Sequence, residues 1–175
     1  MNPAPPSNTL RDWILPVVAT LSLIAAAGLS AQETSKKSEN PPVNVNKKGL
    51  ALGGYDPVAY FEEGGGKAQK GKKDLTAEHG GATYRFATEA NRALFLKKSE
   101  DFVPAYGGFC AYAMVDGKQV EIDPKRYEIH DGRLFLFYRD WFTDTLKPWQ
   151  KKRGEFLPKA DAQWQKLAGE EDKDK

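Results

Sequence analysis

The sequence predicts an α+β domain made of two β-hairpins with helices around them, and three observations carry that expectation. Apolar residues alternate on both sides of Gly80-Gly81, and again on both sides of Asp131-Gly132. After Thr88 and again from Trp141 onwards, apolar residues recur at helical spacing instead. Two hairpins with helices segregated around them define the α+β class.

The chain has 175 residues, enough for one domain with a substantial core plus extensions. Its 26 basic and 24 acidic residues leave a net charge of +2, which gives no electrostatic footprint for nucleic acid. The basic clusters, KAQKGKK at 67–73 and Lys151-Lys152-Arg153, adjoin breakers or acids and read as solvated loops.

Residues 1–31 have the order of a secretory signal: Arg11, an apolar run from Trp13 to Ala27, then small residues at Ser30 and Ala31. The run contains Pro16 and is shorter than the ~20 residues of a spanning helix. A retained N-terminal anchor is the alternative, and only then would the chain touch a membrane. No cysteine follows the run, which argues against a lipoprotein. The expected location is periplasmic or secreted. Residues 32–48 are polar, proline-containing and aperiodic, as in a flexible linker.

The folded part is expected over 49–168. Asp56 before Pro57 reads as an N-cap and first helical residue, with Gly64-Gly65-Gly66 ending a helix of about two turns. Around Gly80-Gly81 the register pairs His79 with Ala82, Ala77 with Tyr84 and Leu75 with Phe86. Those six share one face, and Thr76, Glu78, Thr83 and Arg85 share the other. Thr88 caps a helix to about Lys98 with Ala90, Ala93, Leu94 and Phe95 inward, and Ser99 restarts a short turn.

The second hairpin puts Tyr127, Ile129, Leu134 and Leu136 on one face, with His130 beside Arg133 on a polar one. Trp141, Phe142, Thr145, Leu146 and Trp149 predict one helix, weakened at its end by Pro148. Phe156, Ala160, Trp164 and Leu167 predict another, with Pro158 in its first turn. Residues 169–175 form a charged tail.

Several of these stretches together resemble the YHS-domain family, in its exported, cysteine-poor branch. They are GYDPVAYF at 54–61, GATYRF at 81–86, YGGFCAYA at 106–113 and KADAQW at 159–164. The resemblance spans roughly Gly49 to Leu167 and implies a small YHS-like domain. Metal-binding members of that family carry cysteines that would fall on Ala59, Ala87 and Asn91, and a Tyr-His-Ser tripeptide on Leu75-Thr76-Ala77. This chain lacks all of them, so the resemblance implies the fold without the metal site.

Cys110 is the single cysteine, so no internal disulfide can form. With Met114, and a nitrogen from His79 or His130, it offers donors for a soft ion such as copper or zinc. Residues four apart lie ~6 Å from each other on a helix but ~13 Å along a strand, so Cys110 and Met114 could share an ion only in a helix. The plainer alternative makes both of them core fillers.

The tyrosine-rich motifs supply a candidate pocket for a small ligand from Cys110, Tyr106, Phe109, Tyr112, Tyr84 and Tyr55. Core packing is again the plainer alternative. Thiol catalysis would need a base near Cys110, and no spacing supplies one. The leading expectation is an exported, non-enzymatic binding module handling a soft metal ion or small ligand near Cys110, together with an envelope partner. A structural or protein-interaction domain without ligand comes second, and a thiol-dependent enzyme third.

Overall fold

A computed structural model describes residues 41–169. Strands β1 (Thr76–His79) and β2 (Ala82–Arg85) pair antiparallel across Gly80-Gly81 in the expected register, with Ala77 opposite Tyr84 and His79 opposite Ala82. Leu75, Ala77, Ala82, Tyr84 and Phe86 are buried, while Glu78 on the other face is exposed. The turn works because both glycines adopt positive φ, which L side chains resist.

Helix α1 (Glu89–Lys97) is capped as expected: the Thr88 hydroxyl accepts the Asn91 N–H at 3.1 Å. Its inward face differs. Phe95 is buried and Leu94 half-buried, but Ala90 and Ala93 are exposed and the polar Asn91 is buried. Asn91 goes inward because a buried acceptor, Asp56, binds its amide at 2.7 Å. The short helix α2 (Ser99–Phe102) then sets Phe102 edge-on against Phe61.

The expected helix after Asp56 is instead two single 3₁₀ turns, Val58–Tyr60 and Glu62–Gly64, broken at an extended Phe61. The cap itself forms, with Asp56 Oδ1 accepting the Val58 and Ala59 N–H groups at 2.9 and 3.3 Å. The break lets Phe61 reach Phe102, and it folds Gly64 back onto the Val58 carbonyl, where a Cβ would stand only 2.0 Å away.

After helix α3 (Ala111–Met114), strands β3 (Asp123–His130) and β4 (Arg133–Phe137) form the second hairpin. Tyr127 faces Leu136, Ile129 faces Leu134 and His130 faces Arg133, again as the sequence predicts. The opposite face is not polar, however. Leu134 and Leu136 enter one hydrophobic cluster with both hairpins' inner residues. Phe135 and Phe137 enter a second cluster with Tyr106, Met114 and Trp149. The second hairpin is therefore a wall between two cores.

Helix α4 (Leu146–Ala168) covers the second core. The two predicted helices are one, kinked at Lys152, whose φ is −125°. Trp141 and Phe142 lie outside it, in the turn that precedes it. Pro148 falls in the first helical turn, where its missing N–H has no partner to lose, and Pro158 lies in the helix interior. Trp149 is fully buried, with ring centres 5.7 Å from Phe135 and 5.6 Å from Phe137.

The fold also begins before Gly49. Val43 and Val45 pack on the first core, and the Asn44 N–H donates to Gly107 O at 2.8 Å. Residues 41–48, expected as linker, are thus part of the domain. The signal or anchor over 1–31, the linker over 32–40 and the tail past Gly169 lie outside the described residues. Among the described residues no helix is long and apolar enough to cross a membrane.

Candidate functional site

The site grows from Tyr106-Gly107-Gly108, three successive residues with φ of 56°, 60° and 84°. Gly107 is required twice over. Its φ is left-handed, and a Cβ there would stand 2.2 Å from the Pro42 carbonyl oxygen. Tyr106 adopts the same backbone region against its preference, and its surroundings hold it there. Its hydroxyl donates to Asp161 Oδ1 at 2.9 Å, its ring is buried, and the Arg133 guanidinium lies 5.5 Å from the ring centre. Arg133 is in turn fixed by Asp161 at 2.9 Å.

This bend opens a cleft of about 830 Å³ between the first hairpin and α4. Its walls include His79, Tyr84, Glu100, Tyr106, Arg133 and Trp164. His79 Nε2 lies 2.9 Å from Glu100 Oε1, and its ring meets Phe95 edge-on. Burial, with a contribution from Glu100, pushes the Tyr84 phenol up to about 12. Burial and the hydrogen bond to Asp161 raise Tyr106 as well. Both phenols therefore remain protonated near neutral pH, Tyr106 as a donor to Asp161 and both rings as walls of the cleft.

Cys110 does not join this cleft. It is fully buried, and its sulfur accepts the Tyr138 N–H at 3.3 Å and meets Thr145 Oγ1 at 3.4 Å. The Thr145 hydroxyl donates to Tyr138 O at 2.9 Å, so the S–H is left to donate to Thr145. The thiol closes a small ring of hydrogen bonds between α3, the end of β4 and the start of α4.

Met114 is the helical neighbour of Cys110, its N–H bonding to Cys110 O at 3.0 Å, and it is fully buried in the second core. His130 sits beside Asp131 at 3.3 Å. Tyr112 is partly exposed and stacks edge-on against Phe156, Phe109 packs against the second core, and Tyr55 lies under Lys70. Of the sequence-derived candidates, the cleft gathers only His79, Tyr84 and Tyr106. Among the described residues no three of His, Cys, Asp and Glu come together as a ligand set, and a soft ion at Cys110 would have to replace the thiol proton that reaches Thr145.

One polar centre escaped the sequence reading. The Asp56 side chain is fully buried and accepts four donors: Val58 N, Ala59 N, Ala87 N at 2.8 Å and Asn91 Nδ2 at 2.7 Å. Ala59, Ala87 and Asn91 are the three positions to which the YHS resemblance assigns thiolates. Asp56 was legible as a cap, but its reach to Ala87 and Asn91, over 30 residues away, had no local signal. Glu100, Arg133 and Trp164 likewise gave no sign in sequence that they share one cleft.

Fold and site together define a small α+β domain with an aromatic-walled cleft. Comparison with known proteins goes no further: no family model, curated protein or solved structure matches the chain.

Proposed function

We propose that this chain is a small, non-enzymatic binding module of the YHS type that takes a small organic ligand in the cleft between its first hairpin and α4. One observation carries the reading: His79 and Tyr84 of the first hairpin converge with Glu100, Tyr106, Arg133 and Trp164, from four other segments, on one cleft of about 830 Å³, a size typical of small-molecule sites. The chemistry suits a ligand with a flat apolar body for Tyr106 and Trp164 and a polar end for Arg133 or for the His79–Glu100 pair. The YHS reading draws support from the meeting of Ala59, Ala87 and Asn91 around Asp56. A site of action outside the cytoplasm draws support from the apolar run at 13–27.

The test is to titrate a panel of aromatic acids and amines into isotope-labelled protein and map the amide shifts. Binders should move Tyr84, Tyr106 and Arg133, and Trp164→Ala should weaken them about tenfold or more. A panel that leaves those resonances still, or binders that ignore Trp164→Ala, would overturn the proposal. Copper or zinc at Cys110 is a separate proposal with the poorer donor set. Elemental analysis of untagged protein beside Cys110→Ala decides it, and an apo protein that takes up neither metal rejects it.

A further inference from the structure

The turn before α4 displays the two most exposed large apolar side chains among the described residues, Trp141 and Phe142, each 98 % exposed. Leu96, the next, is 56 % exposed. Two adjacent rings left wholly in water forgo burial that most such side chains obtain, unless something covers them.

The turn cannot collapse to hide them, because its backbone is fixed. Asp140 Oδ1 accepts the N–H groups of Phe142 and Thr143 at 2.9 and 2.7 Å, and Oδ2 accepts the Tyr138 hydroxyl at 2.7 Å. Arg139 and Asp144 bridge across the stem, and Asp144 is paired with Arg126. Below that, Tyr138 and Thr145 are tied to each other and to the buried Cys110 sulfur. The single cysteine thus anchors the base of a rigid protrusion with an aromatic tip.

The charge around the tip indicates what covers it. From Tyr138 to Arg153 there are five cations, Arg139, Lys147, Lys151, Lys152 and Arg153, against two carboxylates, Asp140 and Asp144. Both carboxylates are occupied, by the turn itself and by Arg126. Arg139, Lys147 and Lys151 are exposed and have no carboxylate partner among the described residues. A protruding pair of rings offers less contact than the roughly 800 Å² per partner of a stable protein interface. It does match the boundary between lipid headgroups and acyl chains, where Trp and Phe partition and nearby cations meet anionic headgroups.

We propose that the Trp141-Phe142 turn is an interfacial anchor that inserts both rings into an anionic bilayer surface, with Arg139, Lys147 and Lys151 against its headgroups. This proposal does not depend on the cleft or its ligand.

The test uses the full chain with an environment-sensitive fluorophore on Thr143→Cys, since the native Cys110 is buried and does not compete for label. The probe reports immersion of the tip itself, which attachment through residues 13–27 alone does not produce. Vesicles of phosphatidylcholine with phosphatidylglycerol should shift its emission to the blue, and pure phosphatidylcholine should need several-fold more lipid. Adding Trp141→Ala and Phe142→Ala should raise the half-maximal lipid concentration about tenfold or more. Lys147→Glu should raise it several-fold.

Circular dichroism of each variant checks that the fold is intact. No blue shift with anionic vesicles, or a shift that survives loss of both rings, overturns the anchor. Self-association that depends on Trp141 and Phe142, without a vesicle response, overturns it in favour of a second copy of the chain.

Discussion

The two faces of β4 look on two different kinds of core. Leu134 and Leu136 face a cluster assembled from short segments, with the buried polar knot of Asp56 and Asn91 at its edge. Phe135 and Phe137 face an aromatic cluster roofed by one long helix and centred on Trp149. Rings pack in both: Phe95 meets Tyr84 and Phe86 in the first, and Trp149 meets Phe135 and Phe137 in the second. What differs is the assembly, many short segments around the first and one long helix over the second. The contrast teaches that one strand can wall two apolar cores, one assembled from many short segments and the other roofed by a single helix.

The largest effect should come from the core centred on Trp149. Trp149→Ala leaves a cavity among Phe135, Phe137 and Phe156 and should cost about 3–5 kcal/mol, read by denaturant unfolding. A cost below about 1 kcal/mol would mean that this core is not close-packed.

Next is the polar knot. Asp56→Ala strands the Ala87 N–H and the Asn91 amide without an acceptor and should cost roughly 3 kcal/mol. Asp56→Asn should recover part of that, because one acceptor oxygen survives while its amide opposes a donor. If both variants unfold at the same denaturant concentration as the native chain, the knot contributes nothing.

A pH titration should separate the turn from both cores. The Tyr138 hydroxyl, followed by the Phe142 and Thr143 N–H groups, holds the Asp140 carboxyl below its usual range. A lowered carboxyl pKa gives order that is complete above the ordinary aspartate value and lost as pH falls through the depressed one. Heteronuclear relaxation at Phe142 and Thr143 should therefore stay rigid at pH 5 and loosen only below the ordinary aspartate range, with the cores still folded. Loosening already near pH 5 would contradict that assignment.

The smallest effect belongs to Trp141→Ala. It lies eight residues before Trp149 but is 98 % exposed, and its loss should change stability by less than about 0.5 kcal/mol. Two tryptophans of one short stretch would then differ several-fold in what their removal costs.

Both hairpins were legible because a two-residue turn fixes register, and period-two alternation then assigns every side chain to a face. Thr88 was legible as a cap for the same local reason. The helix from Trp141 was misread because Trp141, Phe142, Thr145 and Trp149 fit a helical stripe, which outweighed the local turn signal of Asp140 accepting the Phe142 and Thr143 N–H groups. Of the site, the sequence pointed to Tyr84, Tyr106 and His79 but centred them on Cys110, whose sulfur is turned to Thr145 and Tyr138 instead.

What the sequence by itself determined was the α+β class, the two turns and their registers, because these depend on residues within a few positions of one another. The tertiary structure alone decided that β4 has two buried faces, that Asp56 meets Asn91, and that the cleft excludes the thiol. Each of those is a contact between segments far apart in the chain, where burial and hydrogen-bond satisfaction override local pattern.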